Sequence, residues 1–310
     1  MKHYPIAPTP VTRLKYFSDK LGVNLYCKRD DLFPSAGGGN KARMLHYILA
    51  DVSKDNCDVL VTAGGPCSNF NRACALICAQ IGVQMHLVEY TDNIEEFDKS
   101  LNYKLVQLAS VRTTRCNKSN VPETIERVIE SYSSQMVKFI YGGGKSIEGF
   151  YSYYDAVREL YEQGISIDCL FVACGTGTTL TGICAGMHKY FPAAKVYAIS
   201  VARQYLDEMP VLQENMKVLN NYLNSDYDLS NLIFCDQYIG EGYGKYTADL
   251  VALIRECASR EGMLLDPIYS GKAFYGMHSI IQNDMRFSYK NILFWNTGGV
   301  FNLLSEIKLW

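Results

Sequence analysis

Residues 168–182 read DCLFVACGTGTTLTG. The apolar run CLFVAC (169–174) has strand length and no polar alternation, so it reads as a strand buried on both faces. Gly175-Thr176-Gly177-Thr178-Thr179 follows at once, and TLTGICAGMHKYF continues as a helix. Strand, small-residue turn and helix in that order form an α/β unit. Its turn lies at the carboxyl end of the strand, where open α/β sheets bind ligands. The turn suits an anion. Small residues let backbone N–H groups point at it, threonine hydroxyls add donors, and the helix N-terminus supplies a positive dipole end. A phosphate is therefore expected at Gly175–Thr179. The segment is not a P-loop, because no Gly-Lys-Ser/Thr ends it. Nor is it the dinucleotide fingerprint. Leu180 stands where the third glycine belongs, and no acidic residue ends the next strand, KVYAISVA.

The same alternation extends outward in both directions. DVLVTA (58–63), QMHLVEY, MVKFIY and KVYAISVA read as strands, and NILFWNTGG as a terminal strand and turn. SNFNRACALICAQIG reads as a helix ending at Gly82, and GFYSYYDAVRELYEQG as one closed by Gly164. NIEEFDKSLNYKLVQL, VPETIERVIESYSS and YTADLVALIRECASREG are helical, while NYLNSDYDLSNL is polar and turn-rich. Such an order predicts an α/β fold of mostly parallel sheets covered by helices. No repeat or linker divides the chain, so any two domains are interleaved.

Composition bounds the function. The 310 residues are 48% hydrophobic and 20% charged, ordinary for a globular protein. A formal net charge of -2 steers the chain toward neither nucleic acid nor an acidic membrane, and its apolar runs are too short to span a bilayer. MKHYPIAPTP lacks the apolar core of a signal peptide. The 11 cysteines include no CxxC pair, and the five histidines have no metal spacing. No metal is expected, and the thiols read as reduced residues of a cytoplasmic protein.

Three further glycine turns are GGGNK (37–41), GGPCSN (64–69) and NTGG (296–299). The first brings Lys41 to a helix start, where the dipole mildly disfavours a cation. Lys41 is either a solvated surface lysine or an amine that forms a Schiff base with pyridoxal phosphate, whose phosphate the 175–179 turn would anchor. Spacing alone leaves both readings open.

The chain resembles the pyridoxal-phosphate enzymes of the tryptophan synthase β-like fold (fold type II), in the branch of 1-aminocyclopropane-1-carboxylate deaminase and D-cysteine desulfhydrase. PTPVTRL (8–14), LYCKRDDLF (25–33), GGNKARML (38–45), TAGGPCSNFNRA (62–73), EGYGKYT, LLDPIYSGKAFYGM and NTGG carry the resemblance almost end to end. It implies two three-layer α/β domains. Residues 1–44 and 151–310 would form the large cofactor-binding domain and 45–150 a small inserted one. It also implies pyridoxal 5′-phosphate as cofactor, a small amino acid as substrate, and a homodimer.

Carried over, Lys41 is the Schiff-base lysine, and Asn69 faces the pyridoxal 3′-oxygen. Ser68 faces the substrate, although a serine there also caps a helix. Gly175, Thr176, Gly177, Thr178 and Thr179 hold the phosphate. Tyr243 and Tyr269 match two active-site tyrosines, Ser270 faces the pyridine nitrogen, and Thr297 closes the cofactor pocket. Lys272 belongs to a helix start, and Asn71 and Arg72 read as residues of a helix's first turn at the surface.

Three departures bear on the chemistry. Cys67 replaces a usual glutamine, Phe70 a common histidine, and Ser270 the glutamate of the cyclopropane-opening enzymes. A carboxylate beside the pyridine nitrogen would keep it protonated. A serine hydroxyl can instead donate to a neutral nitrogen, a weaker electron sink suited to β-elimination. The expected reaction is α-proton removal and loss of a Cβ substituent, giving a 2-oxo acid and ammonia. The alternatives are β-replacement and cyclopropane opening.

Overall fold

A computed structural model of the chain describes residues 7–53, 56–91 and 95–306. Among these, ten strands form two sheets. They are β1 (Val11–Arg13), β2 (Asn24–Arg29), β3 (Val59–Gly64), β4 (Gln84–Tyr90), β5 (Arg112–Cys116), β6 (Val137–Phe139), β7 (Cys169–Cys174), β8 (Lys195–Ser200), β9 (Leu232–Cys235) and β10 (Asn291–Asn296). The larger sheet has the order β1-β2-β10-β7-β8-β9, and the smaller β5-β4-β3-β6. Every pairing is parallel except that of β1 with β2.

The apolar runs explain the layers. Every residue of β3 and of β7 is buried, as parallel strands covered on both faces require. Along β7, Leu170, Val172 and Cys174 join one core with Met44, Phe70, Phe150 and Trp295. Cys169, Phe171 and Ala173 join another with Phe17, Phe274 and Phe294. Alternation of period two thus feeds two helical layers from one strand. Because the strands run parallel, the turns after β7 and β10 open on the same edge of the larger sheet.

The structure refines the sequence reading in three places. NYLNSDYDLSNL is a loop over residues 224–231, while its first residues end the helix Tyr205–Leu223 and Leu232 opens β9. Pro210 lies inside that helix, and a proline there disguises the helical pattern. Of NIEEFDKSLNYKLVQL, residues 93–94 lie outside the described residues, as does most of the stretch MKHYPIAPTP; the remainder of the former forms Glu95–Lys99 and Leu101–Leu108. β2 and β5 carry charged residues that mask them in the sequence.

Candidate active site

The turn after β7 leads directly into the helix Thr178–Tyr190. Gly177 is its N-cap with φ 75°, a left-handed conformation that favours glycine. A Cβ there would also meet Glu208 Oε1 at 2.7 Å and Leu212 Cδ2 at 3.0 Å. Space as well as φ therefore requires glycine. The first N–H groups of the helix have no intrahelical acceptor. The hydroxyls of Thr176 and Thr178 lie 3.4 Å apart beside them.

Lys41 sits in the first turn of the helix Asn40–Ile48, and its amine donates to the Gly143 carbonyl at 2.9 Å. A Cβ on Gly143 would lie 2.9 Å from Thr176 Oγ1, so this carbonyl joins the lysine to the 174–179 turn. Asn40 reinforces the link: its amide donates to Thr179 Oγ1 at 3.0 Å and its backbone N–H to the Thr297 carbonyl at 3.0 Å. Burial lowers the Lys41 amine to about 8, opposed only weakly by the Cys174 thiol. The turns of Gly39 and Gly298 meet beneath it. A Cβ on Gly298 would lie 2.8 Å from Gly39 Cα, and one on Gly39 would lie 2.9 Å from Thr297 O.

Ser68 caps the helix Asn69–Ile81 by accepting the Asn71 N–H. Asn69 lies at the same helix start, and its amide oxygen accepts from Asn102 at 3.1 Å. With its oxygen so engaged, the Asn69 amide has its NH₂ left to donate. The two N–H groups of Asn102 are shared among Asn69 Oδ1, the Cys67 carbonyl and Asn302 Oδ1, so one buried amide ties the 67–69 turn to the helix Val300–Ser305. Sequence reasoning missed Asn102, since its partners are remote in the chain.

Tyr243 and Tyr269 touch hydroxyl to hydroxyl, with ring centroids 5.8 Å apart. Burial pushes the Tyr243 phenol up to about 12 and that of Tyr269 well above its ordinary value. Cys67 lies near enough to act electrostatically on both. The Cβ position of Gly175 is 3.6 Å from the Tyr269 ring, which brings the tyrosines to the same turn.

Ser270 is buried, and its hydroxyl donates to Asp266 Oδ1 at 2.7 Å while accepting the Asp266 N–H at 2.9 Å. The proton that the sequence reading offers to a pyridine nitrogen is thus used on Asp266. Only a lone pair of Ser270 remains free. Asp266 also accepts the N–H groups of Ile268, Tyr269 and Ser270. It is a second residue that sequence reasoning missed. An acid three residues before Tyr269, followed by proline, is the signal that could have found it.

Two arginines stand behind the site. Arg43, on the lysine's own helix, pairs with Asp30 and Glu159 at 2.8 Å each, and Lys28 also pairs with Glu159. Burial alone would raise the Asp30 carboxyl, but the Arg43 guanidinium and the Tyr153 hydroxyl outweigh it and hold it below its ordinary value. Arg72 departs from its expected surface position: it is 2% exposed, with its guanidinium 4.4 Å from the Phe301 ring centroid. Burial lowers it to about 10. Asn71 is buried likewise, its amide filling the place of a Cβ on Gly64.

Comparison with known proteins identifies relatives of this arrangement. A family model described as pyridoxal-phosphate dependent enzyme matches residues 3–298. A Thermotoga maritima protein, provisionally named 1-aminocyclopropane-1-carboxylate deaminase, is 32% identical and the match covers 98% of this chain and 97% of that protein. The D-cysteine desulfhydrase of Klebsiella pneumoniae is 30% identical over 94% of this chain and 92% of its own. A crystal structure described as an ACC deaminase homologue superposes with a TM-score of 0.88 at 30% identity, covering 98% of this chain and 93% of that one.

Proposed function

The chain belongs to the family of pyridoxal-phosphate dependent enzymes, and from that membership we propose a lyase acting at Cβ of a small amino acid. It would remove the α-proton, expel a β-substituent, and release a 2-oxo acid and ammonia. The observation that carries this reading is the Lys41 amine, lowered to about 8 and held on the Gly143 carbonyl beside the 174–179 turn.

The residues present fit the cofactor. An uncapped helix N-terminus and the hydroxyls of Thr176, Thr178 and Thr179 suit its phosphate, with Gly175 and Gly177 leaving the backbone open. The NH₂ of Asn69 suits an anionic oxygen on its ring, and Thr297 closes the pocket beside Asn40. Bound pyridoxal phosphate supplies the electron sink that acidifies the α-proton of an amino acid.

The chain's own side chains do the rest. Lys41 carries the cofactor; displaced by substrate, it is an amine base able to take a proton near neutral pH. The helix start at Ser68 attracts the substrate carboxylate through its dipole. Tyr243 and Tyr269, joined hydroxyl to hydroxyl, can hand a proton to a departing group and regain it through each other. Ser270 would meet the ring nitrogen with the lone pair that Asp266 leaves free, and so act there as an acceptor rather than as the donor expected from the sequence.

We further propose that residues 45–150 form the small domain and residues 1–44 and 151–310 the large one. Confinement of the smaller sheet's strands to 59–139 supports this division. Eleven free cysteines, all buried but Cys67 and Cys116, support a reducing, cytoplasmic setting for the proposed homodimer.

An absorbance spectrum followed by a substrate panel tests the function. A band near the visible edge is expected, with 2-oxo acid and ammonia formed from D-cysteine, L-cysteine or β-chloroalanine. Turnover of 1-aminocyclopropane-1-carboxylate alone would move the reading to cyclopropane opening, and a protein without the band would refute it.

A further inference from the structure

The loop that carries Tyr243 is held near its two ends by Tyr238 and Tyr246, whose hydroxyls bond Ser279 and Glu306, and has little to hold it between them. Residues 236–247 between β9 and the helix Ala248–Glu261 form only turns and bends. Cβ atoms placed on Gly240, Gly242 and Gly244 would meet nothing within 4 Å, so no neighbouring element packs against the loop at those points. Tyr243 as a whole residue is half exposed, although its hydroxyl end is buried. Yet its hydroxyl sits on that of Tyr269, a position that needs an anchor.

Lys272 supplies one. Its side chain is buried, and its Nζ donates to the Ile239 carbonyl at 2.7 Å and the Gly242 carbonyl at 2.8 Å. Gly242 is the residue directly before Tyr243. Lys272 lies in the helix Ser270–Gln282, whose N-cap is Tyr269. Residues three apart share a helix face. One helical turn thus presents the Tyr269 hydroxyl to one end of the loop's tyrosine and a cation to the backbone just before it. A solvated or merely core-filling lysine would not need two carbonyls of the same irregular loop. A buried ammonium needs acceptors such as these two carbonyls, since burying it without them is strongly unfavourable.

We propose that Lys272 is a positioning residue: it clamps the 239–242 backbone so that the Tyr243 hydroxyl stays in register with that of Tyr269. The inference rests on the proposed use of this tyrosine pair in turnover. It places Lys272 outside the reacting groups, acting only through Tyr243.

The test uses holoenzyme carrying Lys272→Met, Lys272→Arg, Tyr243→Phe, or Lys272→Met with Tyr243→Phe. Amide hydrogen exchange, cofactor absorbance and kcat are read for each. Lys272→Met is expected to speed exchange of residues 239–247 at least tenfold, leave exchange of Asn40–Ile48 and Thr178–Tyr190 and the absorbance as in the parent, and lower kcat roughly tenfold to a hundredfold with little change in KM. Lys272→Arg, which keeps donors for the carbonyls, should restore most of the protection. In the Tyr243→Phe background, Lys272→Met should cost no further kcat.

Unchanged exchange of 239–247, a rise spread evenly over the molecule, or independent multiplication of the two kcat losses would each overturn the proposal. If Lys272→Met does not fold, Lys272→Gln, with a shorter reach, takes its place; intermediate protection of the loop is expected, and full protection overturns the clamp. Should Tyr243→Phe alone leave turnover intact, the assignment of the tyrosine to the reaction fails. The exchange measurement still decides whether Lys272 holds the loop.

Discussion

The Lys41 amine and the Gly143 carbonyl oxygen lie 2.9 Å apart, although 102 positions separate them: glycines 142–144 follow the smaller sheet, and Lys41 sits in the first turn of the helix Asn40–Ile48. A carbonyl accepts from an ammonium but cannot stabilise it as a carboxylate would, so burial dominates and the amine titrates near 8.

That value sets a pH dependence. A lysine lowered from its ordinary 10.5 to about 8 is neutral above about 8 instead of above 10.5. Capture of pyridoxal phosphate by apoprotein, which needs the neutral amine, should therefore accelerate as pH rises through 8 and level off well before 10. Stopped-flow absorbance across that range checks it; a rise continuing to 10.5 would show an unshifted lysine. Lys41→Ala should lose the near-visible band and turnover together.

Tyr243→Phe and Tyr269→Phe each remove one hydroxyl of a joined pair while keeping the ring. Each should lower kcat by about a hundredfold or more, the scale of a lost proton-transfer group, and leave cofactor absorbance unchanged. Steady-state kinetics on a β-substituted amino acid reads this directly. A drop in KM effects alone would assign the pair to binding.

Arg43→Met should destabilise the protein by about 3–5 kcal/mol, because the buried Asp30 loses its ion-pair partner and Glu159 keeps only Lys28. Denaturant unfolding measures the loss. Both carboxyls are held below their ordinary values in the folded protein: burial raises them, and Arg43 outweighs it. The folded state therefore binds fewer protons than the unfolded one, so their contribution is present above about pH 4 and is lost as pH falls through the depressed values. The pH dependence below 4 should flatten in Arg43→Met.

Gly175 and Gly177 should respond differently to alanine. At Gly175 a Cβ would meet ordinary contacts with Tyr269 and Val201, whereas at Gly177 it would meet Glu208 at 2.7 Å with φ at 75°. Gly177→Ala is expected to cost about 1–2 kcal/mol or more in stability and to weaken retention of cofactor on dialysis. Gly175→Ala should change stability little. Thermal unfolding and cofactor content after dialysis compare the two, and equal effects would contradict the turn geometry.

Asp266→Asn replaces a carboxylate that accepts three N–H groups and the Ser270 hydroxyl. An amide has one acceptor atom where the acid has two, so at least one buried donor loses its partner, a loss of about 1–3 kcal/mol. Ser270→Ala strands one buried donor, the Asp266 N–H, but should cost less, because Asp266 keeps its three backbone partners and no amide NH₂ is turned against them. Unfolding midpoints of the two variants test the order.

Much of this was legible because local physics and final structure agree. β3 and β7 are apolar throughout and end as buried parallel strands. Ser68 and Gly82 mark the ends of the helix Asn69–Ile81 with an N-cap and a left-handed C-cap. The turns expected to gather around Lys41 do meet: Thr179 and Thr297 both bond Asn40. What could not be read depends on distant partners. Lys28 looks like a surface charge on a polar strand until Glu159 is brought against it. Arg72 looks solvated until Phe301 covers it. The direction of the Ser270 hydroxyl follows from Asp266, whose burial no local pattern announces.

The two glycine turns that press together at Gly39 and Gly298 have an evolutionary consequence. Each residue is fixed by backbone atoms of the other's turn, not by side chains that could shrink or rotate. A substitution at one position therefore has no partner substitution that relieves it. The pair should drift in neither place and leave no compensating covariation between them. In a library randomised at both codons and selected for folding, glycine at each should be recovered independently of what the other codon offers, with no rescued double variant.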